Sequence, residues 1–171
     1  MSEISDHLEV STAAQFKALG HPLRHRLLFA LGQEAATISQ LAAALGTAKG
    51  NVAHHLGVLR DAGMVHVAET RQVRGGTEQY YRRSVRRFDF VGEGARAANT
   101  VALQAVAAEL ESADDDPLFN LRNIRLTAAQ AAELAATLDR MVHELTDAGP
   151  AESRYGVLVT VYRPRQPAPP A

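Results

Sequence analysis

The sequence predicts a mainly α fold with α+β elements, and three observations carry that reading. Four glycine-punctuated, apolar-striped segments fill the first sixty-odd residues, a run of β-formers divided by Gly75-Gly76 follows, and a strand-helix-strand pattern closes the chain. With 171 residues there is room for a small domain plus an accessory unit of similar size. The expected division is a first domain over 1–88, a second unit over 89–163 consisting of a helix and a small strand-helix-strand, and an extended, disordered tail over 164–171 with four prolines.

Each helix announces its ends. Thr12 with Gln15 has capping-box spacing, in which hydroxyl and amide satisfy each other's orphan backbone groups, and Gly20 ends that first segment. Pro22 suits the opening turn of the second, which directs Leu23, Leu27, Leu28 and Leu31 inward before Gly32. Thr37 and Gln40 repeat the box, with Ile38, Leu41 and Leu45 on the inner side and Gly46 behind. A short span then leads to a fourth helix over about 48–62, capped by Thr47 and closed by Gly63. Two helices joined by so tight a turn resemble a helix-turn-helix. The alternating β-formers over about 64–84 predict an antiparallel hairpin, a wing. Together these make a winged helix-turn-helix over roughly 11–84.

Downstream, the alanine-rich stretch Ala95–Ser112 predicts a helix suited to close approach by another, with Val101, Val106 and Leu110 as its larger apolar groups. Asp114-Asp115-Asp116-Pro117 interrupts it as an acidic linker. Phe119–Leu126 alternates like a strand. Thr127 with Gln130 caps a helix running to about Ala148 with Leu134, Leu138, Met141 and Leu145 on one stripe, and Tyr155–Tyr162 has the strongest strand pattern of all.

Composition excludes several classes. Cysteine is absent, which removes disulfides, thiolate catalysis and cysteine-ligated zinc. No stretch nears the ~20 apolar residues of a membrane span, and the polar opening Met1–Glu9 lacks a secretory signal's basic start and apolar core, so a cytoplasmic location without membrane contact is expected. The net charge of −1 hides an asymmetry. Residues 1–90 carry eleven Lys/Arg against eight Asp/Glu, or +3, and 91–171 carry seven against eleven, or −4. Between Arg71 and Arg87 six arginines (Arg71, Arg74, Arg82, Arg83, Arg86, Arg87) face one acid, Glu78. A local positive surface of this kind is what phosphate binding requires.

Stepping ~100° per residue along the fourth helix groups Val52, Leu56, Leu59 and Ala48 on a core face and leaves Gly50, Asn51, His54, Gly57 and Asp61 opposite, with Lys49 and Arg60 at one edge. A major groove admits a helix whose leading face is slim and polar, and residues near its N-terminus read base edges. Asn51 can pair bidentately with adenine, His54 can donate to guanine or phosphate, and Lys49 suits a backbone oxygen. The same face also fits the solvated side of an ordinary amphipathic helix. The arginine hairpin tips the balance, because Arg71 and Arg74 flank a tip that can reach the minor groove or its phosphates. The candidate DNA-contacting residues are therefore Thr47, Lys49, Gly50, Asn51, His54, Arg60, Arg71, Arg74, Thr77 and Tyr80. His55, at the margin of the buried face, reads as structural.

The run Lys17-Ala18-Leu19-Gly20-His21-Pro22-Leu23-Arg24-His25-Arg26-Leu27-Leu28, followed by Val52-Ala53-His54-His55-Leu56-Gly57-Val58-Leu59-Arg60-Asp61-Ala62-Gly63-Met64-Val65, resembles the ArsR/SmtB-type winged-helix regulators. The resemblance covers about 12–84 and implies a homodimer on a partly palindromic double-stranded operator, usually repressing. Its two best-known metal sites lack their ligands in this chain. Leu41-Ala42-Ala43-Ala44-Leu45 stands where thiol-using sensors carry Cys-x-Cys, and Ala95–Ser112 contains no histidine.

Other chemistry is sparse. His21 and His25 stand four apart, a ligand spacing, yet no third ligand is near in sequence. There is no phosphate-binding glycine loop, zincin pattern or nucleophile elbow, so no enzyme activity, metal or other cofactor is expected. The acidic second half reads as a dimerisation unit, and whether it also encloses a small organic ligand stays open beside a purely structural clamp. The competing reading of the whole chain is a winged helix used for protein-protein contact without DNA.

Overall fold

A computed structural model of the chain describes residues 5–32, 34–114, 117–146, 148–149 and 151–164. Asp115 and Asp116 of the acidic run and the tail from Arg165 lie outside them. The chain divides into two units, 1–117 and 118–171.

In the first unit β1 (Ser5–Val10) leads into α1 (Ala13–Leu19), α2 (Pro22–Ala30), α3 (Ile38–Ala44) and α4 (Lys49–Asp61). Then come β2 (Val65–Val73), β3 (Gly76–Arg83), β4 (Val85–Phe90) and α5 (Ala95–Glu111). The capping boxes of Thr12/Gln15 and Thr37/Gln40 are both formed. Pro22 opens α2 behind an N-cap the sequence reading did not identify: the His21 imidazole Nδ1 accepts the Leu23 amide at 3.1 Å. The fourth helix corrects its expected cap. Ala48, not Thr47, is the N-cap and makes no side-chain bond, so Ala48 is exposed rather than on the core face.

One apolar cluster holds the unit together: Leu19, Leu27, Leu28 and Leu31 from the first two helices, Leu41 from α3, Val52, Leu56 and Leu59 from α4, and Met64, Val65 and Tyr81 from the wing's base. Truncating one of these leucines to alanine costs ~2–5 kcal/mol through lost transfer energy and the cavity left behind. The strand pair β1-β4 was not legible in advance. It is parallel, with Leu8 beside Phe88 and Val10 beside Phe90, and Val10 is fully buried. Local pattern is weak in strands this short, and the partners lie about eighty residues apart. The helix α5 packs on α1 and α2, within the first unit although the sequence grouped it with the second half. Its fully buried contacts are the alanines Ala98 and Ala105, two turns apart, and Leu110 is exposed.

In the second unit α6 (Ala128–His143) has the expected capping box of Thr127 and Gln130, and it ends five residues short of the expected Ala148. Two expectations fail there. Phe119–Leu126 and Tyr155–Tyr162 lie in no strand, and among the described residues neither segment makes a backbone hydrogen bond. A strand needs a neighbour to form its ladder, and among the described residues neither segment has one.

Candidate nucleic-acid interface

The helix α4 is aimed by what it buries. Val52, Leu56 and Leu59 sink into the core, and the connection from α3 is short: Leu45 caps α3, Gly46 takes a left-handed φ of 61°, and the Thr47 amide bonds the Ala42 carbonyl at 3.0 Å. A polar tie adds orientation. The Arg24 guanidinium donates to the Lys17 carbonyl (2.9 Å) and to the Ala18 carbonyl at the end of α1, and its Nη1 donates to His55 Nδ1 on α4 at 3.2 Å. One side chain of α2 thus links α1 to α4. His55 is buried, as expected for a structural histidine, and its ring centre lies 4.4 Å from that of His21, tilted, and 5.2 Å from that of His54, edge-on. Burial, and then the nearby charges of His21, Arg24 and His54, hold its imidazole below the ordinary range.

Opposite the core, Lys49, Gly50, Asn51 and His54 are all exposed on the first two turns, with Gly57 half-buried and Arg60 and Asp61 exposed further on. Neither Gly50 nor Gly57 has any atom within 4 Å of where a Cβ would stand, so packing does not require glycine at either position. Asn51 Nδ2 donates to Thr47 Oγ1 at 3.1 Å, which gives the Thr47 hydroxyl a role other than capping. The open N-terminal amides and the absence of any first-turn acid leave this end of the helix favourable to anions.

The wing is a two-residue hairpin. Val73 pairs with Gly76 across the turn Arg74-Gly75, and Gly75 has φ 110°, which a β-carbon disfavours. An irregularity between Val67 and Glu69 puts Ala68 out of register. Arg74 and Thr77 are exposed and Tyr80 is half-buried. Arg71 is exposed but engaged: it forms a two-bond ion pair with Glu69 at 2.6 and 2.7 Å and lies over the Tyr80 ring at 4.5 Å. The paired carboxylate pushes the Arg71 guanidinium up, and the same bond pulls Glu69 below the usual carboxylate range.

The basic run is therefore less uniform than its sequence. Arg87 pairs with Asp89 at 2.7 Å, Arg60 lies 3.8 Å from Asp61, Arg83 is half-buried near the Phe88 ring, and the Arg86 side chain lies outside what is described. Sequence reasoning missed Arg24 and Glu69. The signal for Glu69 was available, since residues two apart on a strand share a face. That for Arg24 was not, because its partners come from two other helices, α1 and α4. The pair His21 and His25 is occupied otherwise: His25 is buried and its Nε2–H donates to the Leu19 carbonyl at 2.9 Å, while His21 serves as a cap. Among the described residues no group of three metal-ligating side chains comes together.

Helices joined by a tight turn and followed by a two-stranded wing define the class: a winged helix-turn-helix protein, the fold of DNA-binding transcription regulators. Residues 19–68 match the family model of a helix-turn-helix domain, which agrees with the ArsR/SmtB-type character read from the sequence of this part of the chain. Among solved structures the chain is similar to the transcriptional repressor BigR from Xylella fastidiosa, with 28% identity over 54% of this chain and 81% of that one and a TM-score of 0.34. A search of curated proteins returns no match. No helix among the described residues is long and apolar enough to cross a membrane.

Proposed function

We propose that the chain is a cytoplasmic, sequence-specific repressor that binds a partly palindromic operator as a homodimer, reading bases with α4 and phosphates with the wing. One observation carries the reading: Lys49, Gly50, Asn51 and His54 stand exposed on the leading turns of a helix whose opposite face is locked into the core. In that role Asn51 reads adenine, His54 a guanine or phosphate, Lys49 and Arg60 the backbone, and Thr47 steadies Asn51. Arg71, Arg74, Thr77 and Tyr80 form the wing's contact set. The repressor sign and the dimer follow the ArsR/SmtB-type resemblance.

A second reading, a winged helix that binds protein and not DNA, is favoured by the ion pairs that already neutralise Arg71 and Arg87. Mapping bound fragments of the native genome separates the two. Recovery of a recurrent palindromic site, with affinity falling steeply with salt, supports the repressor. Uniform recovery of all fragments, or none, overturns it.

A further inference from the structure

The unit beyond residue 117 lacks a core. Among its described residues none is buried, and fifteen large apolar side chains are exposed, among them Phe119, Leu134, Met141, Tyr155 and Tyr162. Its two strand-patterned segments, 119–126 and 155–162, also make no backbone–backbone hydrogen bond among the described residues. A helix with one apolar stripe and two lone strands cannot bury both faces, because a two-stranded element is marginal at best and stability begins with three or more strands against a helix.

We infer that this unit is half of an intermolecular fold, completed by the same segments of a second copy of this chain. Two copies supply four strands and two α6 helices, the smallest two-layer arrangement in which the strands pair, the sheet gains a covered face and both helices bury their stripes. Three further observations point to a second copy as the occupant. Even at ~60 Å² apiece, well under what a buried aromatic side chain covers, the fifteen apolar residues offer ~900 Å², which matches the ~800 Å² per partner of a stable interface. Residues 118–163 carry five arginines and five acids, so two copies meet without net repulsion. Unpaired β-forming segments are also self-templating edges, for which an identical chain in two-fold symmetry is the simplest complement.

The inference rests on the dimeric part of the reading above and names where that dimer is knitted; it does not depend on DNA. Full-length protein is followed by sedimentation velocity and by amide hydrogen exchange across the concentrations at which it associates. Amides of 119–126 and 155–162 are expected to exchange at least tenfold more slowly in the dimer than in the monomer. Val157→Pro with Leu158→Pro removes a strand donor toward each edge. It is expected to abolish that protection and weaken association at least tenfold, while the melting of the first unit stays unchanged. A stable dimer whose two segments exchange as free chain overturns this inference and leaves the dimer standing. Protection that persists undiminished in the monomer overturns it too, since the cover then comes from the same chain. A protein monomeric at every concentration sinks the inference and the dimer together, with DNA binding measured separately.

Discussion

Arg71 and Glu69 are locked together two residues apart on one face of the wing, Nε to Oε1 at 2.6 Å and Nη2 to Oε2 at 2.7 Å. A phosphate that recruits this arginine must displace a carboxylate already in place. The pair is solvent-exposed, and such pairs are weak in water, so the latch is releasable and lowers affinity rather than preventing binding. Glu69→Gln is expected to tighten binding to duplex DNA several-fold and to steepen its salt dependence by about one phosphate contact. Arg71→Ala moves both the other way. Fluorescence anisotropy against salt concentration checks the pair, and an unchanged Glu69→Gln slope removes Arg71 from the contact set.

The leading face of α4 makes a different prediction. Asn51→Ala is expected to cost ~1–3 kcal/mol of discrimination at one base position of the operator. Its effect on non-specific DNA should be small, because Asn51 carries no charge. Lys49→Ala should weaken all sequences alike. Binding to a library of single-base operator variants distinguishes the two patterns, and equal losses across the library for Asn51→Ala contradict a base-reading role.

Arg24 connects the end of α1 to His55 on α4. Arg24→Met keeps much of the stem and deletes three donated bonds. It should destabilise the first unit by about 1–3 kcal/mol, chiefly through the Ala18 carbonyl, since the Lys17 carbonyl keeps the Gly20 amide, and weaken operator binding more than Lys49→Ala does at equal fraction folded. Urea unfolding and anisotropy measured on one preparation test it.

Stability should fall on mild acidification. Burial holds the His25 and His55 imidazoles below their ordinary value of about 6.5. The unfolded chain therefore takes up protons near that pH that the folded chain refuses. Stability is complete above it, declines as pH drops through it, and levels once the folded imidazoles protonate. His55 accepts from Arg24 through Nδ1, a bond only the neutral imidazole makes, while at His25 burial outweighs the Leu19 carbonyl that favours the charged ring. Melting temperature at pH 7.5 and 5.5 should differ by several degrees more in the native protein than in His55→Gln.

Gly94, at the start of α5, sits so close to Phe16 that a Cβ there would overlap the ring. Gly94→Ala is expected to lower stability by about 1–3 kcal/mol through overpacking. Adding Phe16→Leu should recover part of that loss, and thermal melts of both variants settle the matter.

Much of the first unit was legible because its signals are local. The Thr12, Thr37 and Thr127 boxes, the leucines of α2 and the Gly75-Gly76 hairpin each follow from residues within one or two turns of one another. Of the candidate contact residues, the exposure of Lys49, Gly50, Asn51 and His54 followed from the period of the helix alone. Thr47 was misread as a cap because its spacing fits one, although its hydroxyl is drawn to Asn51. The strands β1 and β4 escaped notice for the opposite reason: a parallel pair across the length of the unit has no local signature.

The sequence by itself determined which segments are helices, which face of each is apolar and where the wing turns, since these are set by side-chain period, capping chemistry and glycine. Only the tertiary structure decided that α5 belongs with the first unit, that Arg24 ties three helices, and that Arg71 is already paired. Those outcomes depend on groups distant in the chain meeting in space, where burial and competing partners choose among contacts that no local pattern ranks. The segments 119–126 and 155–162 mark the boundary between the two kinds of information: their strand pattern is written in the residues, and among the described residues no ladder realises it.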